Sequence, residues 1–209
     1  MPYRIRVLGV KDSVVPLEDL NAALQKKNIK AKLEIEESKD EKWTQLIAKH
    51  EDDMEIVQIE RDSVNEGALA GEELNEYLDE MMDYEPHSAA VWLAEYLKKV
   101  KVIYAMQILD GSEVSDGWSV IHCLQSAIWK HVGGILQADL EGFSNEDGFH
   151  ILWQFSDNAH GSWNMAVLQK KVFNITDSSK WVSFEMDLAN KEHRAAFLNG
   201  DVPKGVKLL

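Results

Sequence analysis

VKVIYAMQIL, residues 100–109, and SDGWSVIHCLQSAIWKHVGG, residues 115–134, decide the fold. The first is the longest strand-like run in the chain. The second places Gly117, Val120, Ile121, Leu124, Ala127 and Ile128 at helical spacing, and Gly133-Gly134 supplies a C-terminal stop. A strand feeding a helix that ends abruptly is one half of an alternating pattern, and its neighbours are further strands.

Tyr3, Ile5 and Val7 alternate with Arg4 and Arg6, which predicts a half-buried strand. Pro16, Glu18 and Asp19 suit the first turn of a helix with Leu17, Leu20 and Leu24 on its apolar face, ending near Asn28. Ala31, Leu33 and Ile35 alternate with charges, and residues 43–49 and 54–61 flank a polar turn at 50–53, which predicts a hairpin. On the C-terminal side, residues 135–138, 149–155, 163–169 and 181–186 read as strands, and a last helix opens near Asn190 and stops at Gly200. Between the two sets, Leu74, Tyr77, Leu78 and Met81 repeat at helical spacing, and a second helix follows Pro86 with Ser88 as its cap. The expectation is an α+β protein with two βαβββ-like halves and mainly antiparallel sheets, joined by an acidic helical connector: residues 1–65, 66–99 and 100–209.

The 209 residues carry a formal charge of −14 and a pI near 4.9. Polyphosphates are bound by clustered Lys and Arg, so nucleic acid is not expected as a partner, and anionic membrane surfaces are disfavoured by the same repulsion. No stretch approaches the roughly 18 apolar residues of a membrane span. The N-terminus shows no secretory signal, and the single cysteine, Cys123, permits no intrachain disulfide, so a cytoplasmic location is expected. The Asn174-Ile175-Thr176 sequon is discounted for that reason. Cys123 falls near the Val120-Ala127 side of its helix and reads as a buried, structural residue.

No reaction is indicated. His150 and His160 lie at opposite ends of an expected strand, and His122 and His131 are nine apart, off the i, i+4 spacing of a ligand pair. The acidic loop 139–148 lacks EF-hand spacing, since Ser144 and His150 stand where glycine and glutamate are required. Ser156-Asp157-Asn158 has no Ser-x-x-Lys or Lys-Thr-Gly partner. Neither a catalytic set nor a metal or cofactor site is therefore expected. A cleft lined by His150, Trp153, Asp157, Trp163 and Glu185 is the alternative, as a small-molecule site or metal-independent active site.

Two surfaces stand out. Residues 66–99 hold nine acids and two bases. Glu72, Glu76 and Glu80 repeat at i, i+4, as do Asp79 and Asp83, each like-charge pair costing a few tenths of a kcal/mol. Such a ridge suits a basic protein partner; the plainer reading is a solvated face that aids solubility. On the 115–131 helix, Trp118, His122, Gln125 and Trp129 form a second stripe beside the core stripe, with the mixture of aromatic and polar groups found at interfaces, although packing on both sides of the helix is the plainer explanation. The functional expectation is a non-enzymatic interaction protein, of immunity or inhibitor type, using Glu72, Glu76, Asp79, Glu80, Asp83, Trp118 and Trp129.

Overall fold

In the computed structural model, residues 3–65, 68–114, 116–168 and 180–209 are described. The sequon at Asn174, position 115 and the end of the 163–169 strand lie outside them. The fold class is α+β: among the described residues there are ten strands, in mainly antiparallel sheets, and five α-helices. None of these helices is long and apolar enough to cross a membrane.

The elements follow the local patterns closely. Strands β1 (Arg4–Gly9), β2 (Lys32–Lys39), β3 (Lys42–Lys49), β4 (Glu55–Ser63), β5 (Val102–Ile108), β6 (Ile135–Ala138), β7 (Gly142–Ser144), β8 (Ser162–Leu168), β9 (Trp181–Asp187) and β10 (Lys207–Leu208) are joined through helices α1 (Leu17–Lys26), α2 (Ala68–Glu80), α3 (His87–Leu97), α4 (Gly117–Val132) and α5 (Lys191–Leu198). Asn190 caps α5 as its sequence position suggests, its side-chain oxygen accepting from the Glu192 and His193 N–H groups. Ser88, in contrast, lies inside α3, whose cap residue is Pro86. Residues 149–155 do not form a strand. Only His150 makes bridges, and the Trp153 N–H is satisfied by the Glu85 carbonyl at 2.9 Å. β7 and β10, too short to leave a periodic signature, were not expected.

Chain contacts group the residues differently from a linear division at 65 and 99. One unit comprises 1–73 with 99–139, the other 74–98 with 140–209. In the first, strands run in the order β2-β3-β4-β5-β1-β6, each neighbouring pair antiparallel. β1 is inserted between β5 and β6, the two strands that α4 connects, which is the split β-α-β arrangement. Because strand side chains alternate, one face of this sheet offers Ile5, Val7, Ile59, Tyr104 and Met106 to the buried faces of α1 (Leu20, Leu24) and α4 (Val120, Ile121, Leu124, Ile128). Tyr104 is fully buried. Its hydroxyl donates to the Ser13 carbonyl at 2.7 Å and accepts from the Val15 N–H at 3.2 Å, pinning the loop between β1 and α1. Asp12 in that loop is held by Arg61 at 2.5 Å and by the Ser63 hydroxyl at 2.7 Å. Burial pushes the Tyr104 hydroxyl up to about 12.

α4 ends where Gly133 takes φ +67° and donates back to the Trp129 carbonyl at 2.7 Å. Gly134 follows at φ +96°, with its Cα hydrogen directed at the Leu8 carbonyl oxygen; a Cβ there would lie 2.0 Å from that oxygen.

In the second unit, β8 pairs with β9 and β9 with β10. Met165, Val167, Phe184, Met186, Leu188 and Phe197 form its core, with Trp153, Phe155 and Trp163 packed against it. Trp92 of α3 stacks on Tyr96 and meets Trp181 of β9 edge-on, while the Tyr96 hydroxyl donates to Glu146 at 2.6 Å.

Candidate functional site

At about 100° per residue, Glu72, Glu76, Asp79, Glu80 and Asp83 fall within an arc of about 100° on α2 and the short 3-10 turn that extends it. All five are exposed, whereas Leu74 and Met81 on the opposite side are buried. Amphipathicity alone therefore turns the carboxylates outward. Glu72 stands on the part of α2 grouped with the first unit and the other four on the part grouped with the second. Among the described residues no ion pair involves any of the five. Glu80 accepts a short hydrogen bond from the Tyr84 hydroxyl, which burial and that carboxylate push up to about 12. Glu73, one residue from Glu72, faces elsewhere.

Its partner is Arg6. Arg6 is 8% exposed, and its guanidinium donates to Glu73 at 2.5 Å, to Gln137 at 2.7 Å and to Asp139 at 2.7 Å. Asp139 also accepts from the Arg4 N–H at 3.0 Å. On the same sheet face, burial and then the nearby Glu73 charge push the Asp62 carboxyl up. These groups satisfy one another and tie β1, β6 and α2 together. The sequence offered a partial signal in Arg4 and Arg6, whose alternation marks a polar strand face without showing that it is covered.

On α4, Trp118 is 37% exposed and lies against His122, with ring centroids 5.7 Å apart. Trp129 is half-buried and its indole N–H donates to the Gly134 carbonyl at 2.8 Å, so its polar handle locks the turn after the helix. Of the two tryptophans, Trp118 is the one offering open surface. Two adjoining clefts of about 570 and 550 Å³ share Asn28 and Asp116, where the end of α1 meets the start of α4; His50, Lys27, Lys30, Ser119 and His122 also line them. The His50 Nε2 donates to the Gly111 carbonyl at 2.8 Å. This groove left no motif in the sequence, because its walls come from three separated segments.

Cys123 is buried, and desolvation pushes its thiol up. Native protein is expected to react with a neutral-pH thiol reagent orders of magnitude more slowly than urea-unfolded protein; labelling that is equally fast in both would contradict this placement.

Of the residues expected to line a C-terminal cleft, His150, Trp153 and Trp163 share one aromatic cluster with Phe155 and Phe197, centroids 4.6–6.2 Å apart. Arg194 lies over the Trp153 ring at 4.6 Å. Asp157 and Glu185 stand outside it. Asp157 is exposed and 3.6 Å from Arg194, and Glu185, between the buried Phe184 and Met186 on β9, faces the other way, where it accepts from the Ser162 hydroxyl at 2.6 Å. His160 is exposed and apart from the cluster. Among the described residues no three His, Cys, Asp or Glu side chains converge to hold a metal ion. Comparison with protein-family models, with curated proteins and with solved structures returns no match.

Proposed function

We propose that this chain is a non-enzymatic interaction protein, of the immunity or inhibitor kind, that binds a basic protein through the acidic face of α2; Trp118 on α4 is a separate candidate contact in the first unit. One observation carries the reading: five exposed carboxylates on a single helical arc, without ion pairs among the described residues, where like charges at i, i+4 cost stability. A field of that sign steers a cationic partner and repels polyanions and anionic membranes, in keeping with the net charge of −14. A cytoplasmic setting belongs to the same proposal.

The test is paired affinity capture from native extract with wild type and the Glu76→Gln/Glu80→Gln variant. A basic protein retained by wild type at low salt, with association slowed about tenfold in the variant and the difference shrinking as salt is added, is expected. The variant itself should be as stable as wild type or a few tenths of a kcal/mol more stable. Identical capture and identical association rates at low salt would reduce the ridge to a solvated face. The second reading, a small-molecule site in the C-terminal half, is favoured by the half-buried Trp153, Phe155 and Trp163 around His150.

A further inference from the structure

His150 occupies an unusual position for an ionisable residue. Its N–H donates to the Asn164 carbonyl at 3.0 Å and its carbonyl accepts from the Ala166 N–H at 2.8 Å, which bridges it to Met165 of β8, while the bridge to Ser144 of β7 is made by its neighbours, the Ile151 N–H donating to the Phe143 carbonyl and the Asn145 N–H to the Phe149 carbonyl, each at 2.9 Å. The short segment 149–151 thus joins the two strands, with no longer ladder between them among the described residues. The His150 ring packs edge-on against Trp163 at 4.6 Å and tilted against Phe155 at 5.5 Å; the residue as a whole is half-buried, but Nδ1 is sealed from solvent with no hydrogen-bond partner among the described residues.

Among the described residues no counter-charge faces the ring. β8 presents Trp163 and Met165, and the 151–155 segment presents Phe155 with Trp153 beside it. On α5, Arg194 lies over Trp153 and is tied to Asp157, which is itself exposed, while His193 adds a second buried nitrogen without a partner among the described residues. Beyond β7, Glu146 is engaged by Tyr96 and Asp147 is exposed; His87 and Glu95 on α3 are exposed, and Glu185 is on the far face of β9. Burial alone holds the imidazole down at about 4, against an ordinary value near 6.5.

We propose that His150 is an acid-triggered release in the second unit: protonating its ring, which meets no anion among the described residues and sits in the segment that joins two strands, parts β7 from β8 and uncovers Trp153, Phe155 and Trp163. The folded form resists the proton and the open form does not, so the open form binds more protons between about pH 4 and 6.5, and stability falls as pH drops through that window. Relative to pH 7.5, the opening equilibrium rises roughly thirtyfold by pH 5 from this one group.

The experiment compares wild type with His150→Phe from pH 7.5 to 3.5, by hydrogen exchange of residues 144–168 and by binding of a hydrophobic dye. Both proteins share every carboxylate, so the difference isolates the imidazole. Wild type should lose protection and bind dye across pH 6.5–4, with His150→Phe delayed by a pH unit or more; coincident profiles overturn the proposal. Should His150→Phe fail to fold, nuclear magnetic resonance of ring-labelled histidine in wild type decides. A His150 signal that titrates only as protection is lost supports the release, and one that titrates at the ordinary value while 144–168 stay protected overturns it.

Discussion

Gly134→Ala is expected to lower the melting temperature by about 10–20 °C, corresponding to a loss of about 4–5 kcal/mol in a chain of this size. Two costs coincide. At φ +96° an L side chain is strained, and the new Cβ would lie 2.0 Å from the Leu8 carbonyl oxygen and 3.0 Å from Gly9 Cα. Neither neighbour gives way cheaply, because Leu8 is paired with Ile103 on one side and Ile135 on the other, in the strand at the centre of the split β-α-β motif. Gly161→Ala separates the two costs. Gly161 has nearly the same φ, +98°, with nothing within 4 Å of a Cβ, so it should lose only about 1–2 kcal/mol. Thermal unfolding followed by circular dichroism checks both variants, and equal shifts for the two would show that the contact with Leu8 contributes nothing.

Asp12→Ala is the second large effect, a loss of about 3–5 kcal/mol. Arg61 has a side chain only 4% exposed, and Asp12 is its one ion-pair partner among the described residues. Deleting the carboxylate leaves a buried cation, a hydroxyl at Ser63 without that acceptor, and a loop still held through Tyr104, through the Trp43 indole, which donates to the Val15 carbonyl at 2.8 Å, and through the Lys11 N–H, which donates to the Val132 carbonyl at 3.1 Å. Replacing both partners, as Asp12→Ala with Arg61→Met, should recover most of that loss, since removing both charges avoids the unpaired one. Urea unfolding measures this directly. A double variant no better than Asp12→Ala alone would mean that the loop, and not the ion pair, carries the stability.

Local periodicity made most elements legible. The apolar stripe and the Gly133-Gly134 stop mark α4, Asn190 marks the start of α5, and the 50–53 turn marks the β3–β4 hairpin. Each depends on residues within one or two turns of each other. Pairing was not legible in this way: β1 lies between β5 and β6, whose residues come more than 90 positions later, and nothing near Tyr3 or Val7 encodes that choice. The aromatic run at 149–155 resembles a strand because aromatic residues favour strands, yet here Trp153 and Phe155 are used as ring-on-ring packing without a ladder. The acidic arc could be read because helical spacing alone defines it. The Arg6 cluster could not, since Glu73 and Asp139 reach Arg6 across separations of 67 and 133 residues.

The interrupted first unit imposes an order on biosynthesis. A nascent chain can assemble the β2-β3-β4 meander as soon as Ser63 clears the ribosome, but β1 must then wait, unpaired on both edges, for β5 and β6. At roughly 5–20 residues per second the interval from Gly9 to Ala138 is about 6–26 s, long beside the microseconds in which a hairpin closes. Until β5 is complete at Ile108, Ile5, Val7 and Leu8 are an apolar strand without neighbours, and one edge stays open until Ala138, the kind of segment a ribosome-associated chaperone holds. Synthesis through residue 138, and not the emergence of β1 itself, is the event that lets this sheet close.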